Sequence, residues 1–304
     1  MAEEYVVIAE EGLDSKWVVK KRQFRAGGPE LRCAYYPPAG HEMEGLLVFL
    51  NGHNDWIEKY SFLPHLLGLP QNWGFLTWDH RGQGASAGKR SFIESYDQFA
   101  SDALAIIRTH YEGDNLLIIG HSMGGLIALY ALLKGYLKPK ALVLCSPLLA
   151  LPNHPLPRFL YRPIAAVLSQ TRFKSRYSGK ASHKAFENND KTQSRLAYMR
   201  LTKSPFGYYK PTFAWLSATF RAVRFVHRLD AVKNLVCPTL LLTGTDERVV
   251  DPRGFEKWFR RVKRFSLSVR RIEIAKARHE ILNEDHPFQQ RAIRSMMEFL
   301  QPYF

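Results

Sequence analysis

Apolar residues fall in two rhythms along this chain of 304 residues. Short aliphatic or β-branched runs (ELRCAYYP, GLLVFLNG, GFLTWDHRG, NLLIIGHS, ALVLCSP, PTLLLTGTDE and RRIEIAKARH) alternate with stretches whose apolar positions recur at helical spacing. Strands buried on both faces read as near-continuous apolar runs, and crossover helices show an apolar stripe. The alternation therefore predicts an α/β architecture, a mostly parallel sheet flanked by helices. Phe255, Trp258, Phe259 and Val262 lie at i, i+3, i+4 and i+7 and predict one such helix. Another is predicted to open at Asp285, as N-cap, with Pro287 in its first turn. WVVKKRQFRA and ELRCAYYP have no helix between them, which predicts an antiparallel start to the sheet.

The rhythm stops after Ser146. Pro147, Pro152, Pro155 and Pro157 lead into about eighty residues without a strand pair, and strands resume at Val236. This predicts a core made of 1–147 and 233–304, with 148–232 as a helical insertion. Two amphipathic helices are predicted inside it, one on Leu156, Leu160, Ile164 and Val167, the other on Phe213, Leu216, Phe220 and Val223. Arg221, Arg224 and Arg228 form a basic stripe on the second. Leu116 to Leu133 has 18 residues without a charged side chain, the minimum for a membrane span. It is better read as a strand, the Gly-flanked turn GHSMGG and a buried helix.

Charge changes the picture regionally. The net charge is +15, and residues 148–232 hold 15 Lys and Arg against Glu187, Asp190 and Asp230. Residues 253–278 hold ten more against Glu256 and Glu273. Such a surface concentrates anionic partners or simply keeps a face solvated. No nucleic-acid-reading motif accompanies it, so nucleic acid is not the expected partner. Cys33, Cys145 and Cys237 are an odd set without metal spacing, which suits buried thiols in a reducing compartment. The acidic N-terminus MAEEYVVIAEEGLD does not read as a secretory signal, so the expected location is the cytoplasm, with peripheral attachment to an anionic inner membrane face. The sequence leaves the oligomeric state open.

Gly120-His121-Ser122-Met123-Gly124 stands between a predicted strand and a predicted helix, the setting of a nucleophile elbow. A serine hydroxyl needs an adjacent imidazole, and the imidazole needs a carboxylate to fix its tautomer. His279 follows the last predicted strand, and Asp246, Glu247 and Asp251 follow the one before. The chain order nucleophile, acid, base results. His286 falls at the start of the last helix, and His121 is predicted to point away from Ser122. Two N–H donors are also required for an oxyanion, and the backbones of Met123 and of His53 in Asn51-Gly52-His53-Asn54-Asp55 fit. Asp79-His80-Arg81-Gly82-Gln83-Gly84 lacks a following phosphate-loop Lys-Ser/Thr and is assigned a structural role.

FLNGHNDWIEKY, DHRGQGASAG, GHSMGG, GTDERVVD and ARHEIL, in this order, resemble the α/β-hydrolase fold serine hydrolases, in the branch of monoacylglycerol lipases and bacterial lysophospholipases. The resemblance spans nearly the whole chain outside 148–232. It implies Ser122 as nucleophile, His279 as base, Glu247 as acid with Asp246 as the alternative, His53 and Met123 as oxyanion donors, and 148–232 as a basic helical cap over an acyl pocket. It implies no cofactor and no metal. The loop opens with Asn51 where many relatives carry His, which a backbone donor tolerates. The resemblance points to a lysophospholipase cleaving a fatty-acyl ester through an acyl-enzyme. A monoacylglycerol lipase or general carboxylesterase docked on anionic membranes is the second reading, and a noncatalytic lipid-binding module the third. Acyl transfer to a lipid hydroxyl stays open beside hydrolysis.

Overall fold

Strand pairing turns the apolar runs into a single eight-stranded sheet. The computed structural model describes residues 13–40, 42–151, 158–265 and 268–304, without the side chains of 158–160. The strands are β1 (Val18–Gln23), β2 (Glu30–Tyr36), β3 (Gly45–Leu50), β4 (Trp73–Trp78), β5 (Leu116–His121), β6 (Ala141–Cys145), β7 (Thr239–Gly244) and β8 (Val269–Ile274), in the order β1-β2-β4-β3-β5-β6-β7-β8. β1 and β2 run antiparallel to their neighbours, as the sequence predicts, and every other pairing is parallel. The central strands are buried along their whole length, whereas β1 is exposed throughout and carries Lys20, Lys21 and Arg22. Charge on an edge strand discourages pairing with another chain.

Side chains alternate across the sheet, so each strand feeds two cores. Val48, Leu50, Ile118 and Leu144 enter one, and Leu47, Phe49, Ile119 and Val143 the other. The first core is closed by α1 (Tyr96–His110), α2 (Met123–Leu133), α5 (Phe213–Val226) and α6 (Arg253–Lys263), the second by α7 (His286–Leu300). Every residue of α2 is buried between the sheet, α1 and α5, which explains its uncharged sequence. No helix among the described residues is long and apolar enough to cross a membrane. The predicted face of α6 is inside, with Trp258 fully buried. Asp285 does hold the N-cap position of α7, but its side chain makes no cap hydrogen bond there.

Between β6 and β7 the described residues add α3 (Arg158–Leu168), α4 (Arg195–Thr202) and α5, and no strand of the sheet. Two expectations shift here. On α3, Ala165 is fully buried and Tyr161 packs on Phe220, while Ile164 and Val167 are exposed. The packing face is thus rotated from the predicted one, whose Leu156 and Leu160 side chains lie outside the described residues. On α5 the deep face is Trp215, Leu216, Ala218, Ala222 and Val226, with Phe220 and Val223 at its margin. The Tyr96 hydroxyl meets Thr219 at 3.2 Å, and α5 packs on both α1 and α2.

Candidate active site

A single residue links β5 to α2. Ser122 takes φ 52° and ψ −116°, a left-handed conformation that costs a non-glycine residue on the order of 1–3 kcal/mol and must be held by its surroundings. Those surroundings are tight: a Cβ on Gly120 would lie 2.7 Å from the Gly124 carbonyl, and one on Gly124 2.0 Å from that of Leu50. Both glycines of the motif are required by space. The Ser122 N–H is held by Cys145 O at 2.9 Å, and its own carbonyl accepts from Leu148 N–H at 2.9 Å.

The loops after β7 and β8 converge on this turn. His279 Nε2 is 2.9 Å from Ser122 Oγ, and His279 Nδ1 is 2.8 Å from Glu247 Oε2. Glu247 Oε1 accepts from the N–H groups of Val249 (2.7 Å) and Val250 (3.1 Å), which fixes the carboxylate plane. Burial acts to raise the Glu247 pKa, yet the facing imidazole and the two amides outweigh it and hold the group below its usual range. The acid alternative lies elsewhere: Asp246 pairs with Arg248 at 2.8 Å and Arg278 at 3.4 Å. Ser122, Glu247 and His279 are all within 9% exposure, so the constellation is nearly sealed.

Of the two predicted oxyanion donors, Met123 directly follows Ser122, and His53 follows Gly52, on which a Cβ would lie 3.3 Å from Ser122 Cβ. Met123 opens α2, where a backbone N–H has no intrahelical acceptor. His53 sits between two fixed residues: Gly52 N–H donates to Asp55 Oδ2 at 2.8 Å and Asn54 N–H to Gln83 Oε1 at 2.5 Å. The His53 ring meets Ser91 Oγ at 2.8 Å and packs 4.7 Å from Trp215. Burial, with the nearby Lys191 charge, pushes its pKa down to about 3, so the ring is neutral. Gln83 belongs to the DHRGQG segment, whose Asp79 receives N–H groups from Ile57 and Ala85 and the guanidinium of Arg32. The segment braces the oxyanion loop, in line with the structural role assigned to it.

A buried polar network behind the site escapes sequence reasoning. Lys59 Nζ contacts Asp55 at 2.5 Å and both Glu280 oxygens at 2.8 Å, and the Tyr60 hydroxyl donates to Asp55 at 2.9 Å. His121 turns from Ser122 towards this cluster, 3.2 Å from Cys145 O and 3.6 Å from Glu280. Burial would lower the Lys59 pKa, but the two carboxylates raise it instead. For Glu280 burial acts upward, yet Lys59 and His121 hold it well below its ordinary value. Asp55, His121 and Glu280 are also the described residues whose ligand atoms converge closely enough for a metal ion. The Lys59 ammonium already supplies the positive charge between those carboxylates. Adjacency of Glu280 to His279, and of Lys59 four residues after Asp55, were the available sequence signals.

Two segments from between β6 and β7 are tied to the site's loops. Asn54 and Tyr209 exchange a pair of hydrogen bonds (3.0 and 3.2 Å). On the other side Glu284 accepts from Thr192 Oγ1 (2.9 Å) and Gln193 N–H (2.7 Å), and Glu280 N–H donates to Lys191 O at 2.9 Å. Lys191 Nζ lies 4.8 Å from the Tyr208 ring centroid, spanning from one segment to the other.

Comparison with known proteins gives the family and the fold. A family model described as serine aminopeptidase, S33 matches residues 41–286. The chain is 26% identical over 294 residues to a probable lysophospholipase L2 of Haemophilus influenzae, covering 91% of each. It is also 26% identical over 238 residues to the monoglyceride lipase of Mus musculus, covering 75% of this chain and 73% of that one. The fold is similar to the crystal structure of Paleococcus ferrophilus monoacylglycerol lipase, with a TM-score of 0.76, 22% identity and coverage of 90% of this chain and all of that one.

Proposed function

The chain belongs to the serine hydrolase family described as serine aminopeptidase, S33, and is a carboxylic ester hydrolase; from that premise we propose that it cleaves the fatty-acyl ester of a lysophospholipid. In the proposed reaction Ser122 Oγ attacks the acyl carbonyl while His279 Nε2 takes its proton. Glu247 stabilises the resulting imidazolium, and the His53 and Met123 N–H groups receive the oxyanion. His279 returns the proton to the leaving glycerol oxygen, and water, activated by the same imidazole, releases the fatty acid. Residues 148–232 act as a cap over the acyl chain.

The observation that carries the phospholipid reading is Lys191. Its ammonium stands close enough to the site to act on His53 and to feel Glu280 and Asp55, yet among the described residues it forms no ion pair of its own. Burial lowers its pKa from the ordinary value, so a phosphate would meet a desolvated partner there. Similarity to monoglyceride lipases supports the second reading, a monoacylglycerol lipase, in which Lys191 has no anion to meet. The test is fatty-acid release from lysophosphatidylglycerol, lysophosphatidylethanolamine and monoacylglycerol of matched chain length, by wild type, Ser122→Ala and Lys191→Met. Release from all three is expected to need Ser122. Lys191→Met is expected to lower kcat/KM for the phospholipids about tenfold, a charged hydrogen bond's worth, and to spare monoacylglycerol. Preference for monoacylglycerol, untouched by Lys191→Met, would establish the second reading instead.

A further inference from the structure

A groove of about 710 Å³ lies where α3, α5 and α6 meet, and its lining contains no residue of the triad or the oxyanion loop. Each helix contributes an exposed cation: Arg162 from α3, Arg224 from α5 and Lys257 from α6. None of the three has an ion-pair partner among the described residues. The other cations of the lining are engaged, Arg253 with Asp251, Arg228 with Asp230 and Arg261 with the His227 carbonyl. Beside the free cations runs an apolar wall of Leu149, Leu151, Phe220 and Val223.

The lining also includes an unsatisfied buried group. His227 is 8% exposed, and its Nε2 faces the Leu149 carbonyl at 2.8 Å, so Nε2 carries the proton and donates. Nδ1 is thereby left as a lone-pair acceptor, and it is buried without a hydrogen-bond partner. Burial, reinforced by the charges of Arg261 and Lys257, pushes the ring's pKa down to about 4, so Nδ1 remains an acceptor at neutral pH. The groove thus offers phosphate-binding cations and a hydrocarbon surface over a buried, neutral His227.

We propose that this groove is a second lipid site, which binds a single-chain glycerophospholipid without cleaving it. The phosphate meets Arg162, Arg224 and Lys257, and the chain lies along Phe220 and Val223. Its volume lies within the range of small-molecule sites. The site is independent of which ester Ser122 cleaves.

The test titrates enzyme whose Ser122 has been blocked with an alkyl fluorophosphonate, so that binding at the active site is excluded. The probe is ether-linked lysophosphatidylglycerol below its micelle concentration. Glycerol 1-phosphate serves as a phosphate without a chain, and hexadecylglycerol as a chain without a phosphate. One equivalent of the ether lipid is expected to bind. The triple variant Arg162→Gln/Arg224→Gln/Lys257→Gln is expected to bind it at least about tenfold more weakly, and both partial probes to bind at least about tenfold more weakly than the ether lipid. Stoichiometric labelling of Ser122 in the triple variant certifies its fold. Absence of binding to blocked wild type, or equal binding by the triple variant, would overturn the proposal. Equally tight binding of glycerol 1-phosphate would replace it with a soluble-phosphate site. Should the phosphonate fail to label Ser122, the active-site assignment is what fails, and the loss of one bound equivalent between wild type and triple variant still reads the groove.

Discussion

Two groups of cations in this molecule live under opposite rules. Around Lys59 each buried charge has its counter-charge, Asp55 and Glu280 on one ammonium, with the Tyr60 hydroxyl donating to Asp55 and His121 standing 3.6 Å from Glu280. At the meeting of α3, α5 and α6, Arg162, Arg224 and Lys257 stand exposed with no carboxylate of their own among the described residues. The difference follows from solvent. A buried charge left alone costs several kcal/mol, so pairing behind the active site is a condition of folding. An exposed guanidinium loses little by standing unpaired and is free to meet something else. Paired charges report how the protein holds itself, and unpaired ones what it can hold.

The paired side breaks most severely at the triad. Glu247→Gln is expected to lower kcat by about 10⁴, because the imidazole loses the carboxylate that fixes its tautomer, while Asp246→Asn should change it less than about threefold. Steady-state hydrolysis of one ester by both variants decides between the two acids. Lys59→Met leaves Asp55 and Glu280 facing each other and is expected to cost about 3–5 kcal/mol, read from the denaturant midpoint. Adding Glu280→Gln to that variant should restore part of the loss, since one carboxylate fewer then lacks a partner.

Acid sharpens the same contrast. Folded-state pKa values of Glu247 and Glu280 lie below the ordinary 4.5, so the unfolded chain takes up their protons first. Their contribution is complete above about pH 4.5 and drains away as pH falls through the lowered folded values. Lys59, raised above 10.5, contributes fully below that value and loses its share as pH rises through its folded value. Urea midpoints at pH 7 and pH 4 should therefore drop less for Glu280→Gln than for wild type. The smallest effect belongs to the groove: Arg162→Gln, Arg224→Gln and Lys257→Gln should each shift stability by under about 0.5 kcal/mol. A larger loss would mean that these cations hold the fold after all.

The sequence carried the parts of this molecule that depend on neighbours in the chain. Strand runs, the Gly120-Ser122-Gly124 turn and the succession of Ser122, Glu247 and His279 are local patterns placed in order by the topology. Lys59 and Glu280, by contrast, meet across 221 residues, and no periodicity marks such a pair. The face of α3 was misjudged for a related reason: Ile164 and Val167 satisfy an apolar stripe, but the small Ala165 is what lets the helix approach its neighbours. At Asp285 composition identified the right position, yet the side chain leaves the N–H groups of α7 uncapped.

Helix α5 has a consequence for anyone wishing to exchange parts between relatives. Thr212 is buried, its N–H and hydroxyl both donating to Ser91 O, and from that point the chain runs into the core through Trp215, Leu216 and Thr219. A graft carried through residue 232 would import one half of an interface whose other half, on α1 and α2, stays behind. A graft ending at residue 211 would carry α3, α4 and both segments tied to the site's loops, but would divide the α3–α5 contact, where Tyr161 packs on Phe220 and Ala165 is buried. Helix α5 therefore belongs to both parts at once, and a boundary on either side of it divides its packing.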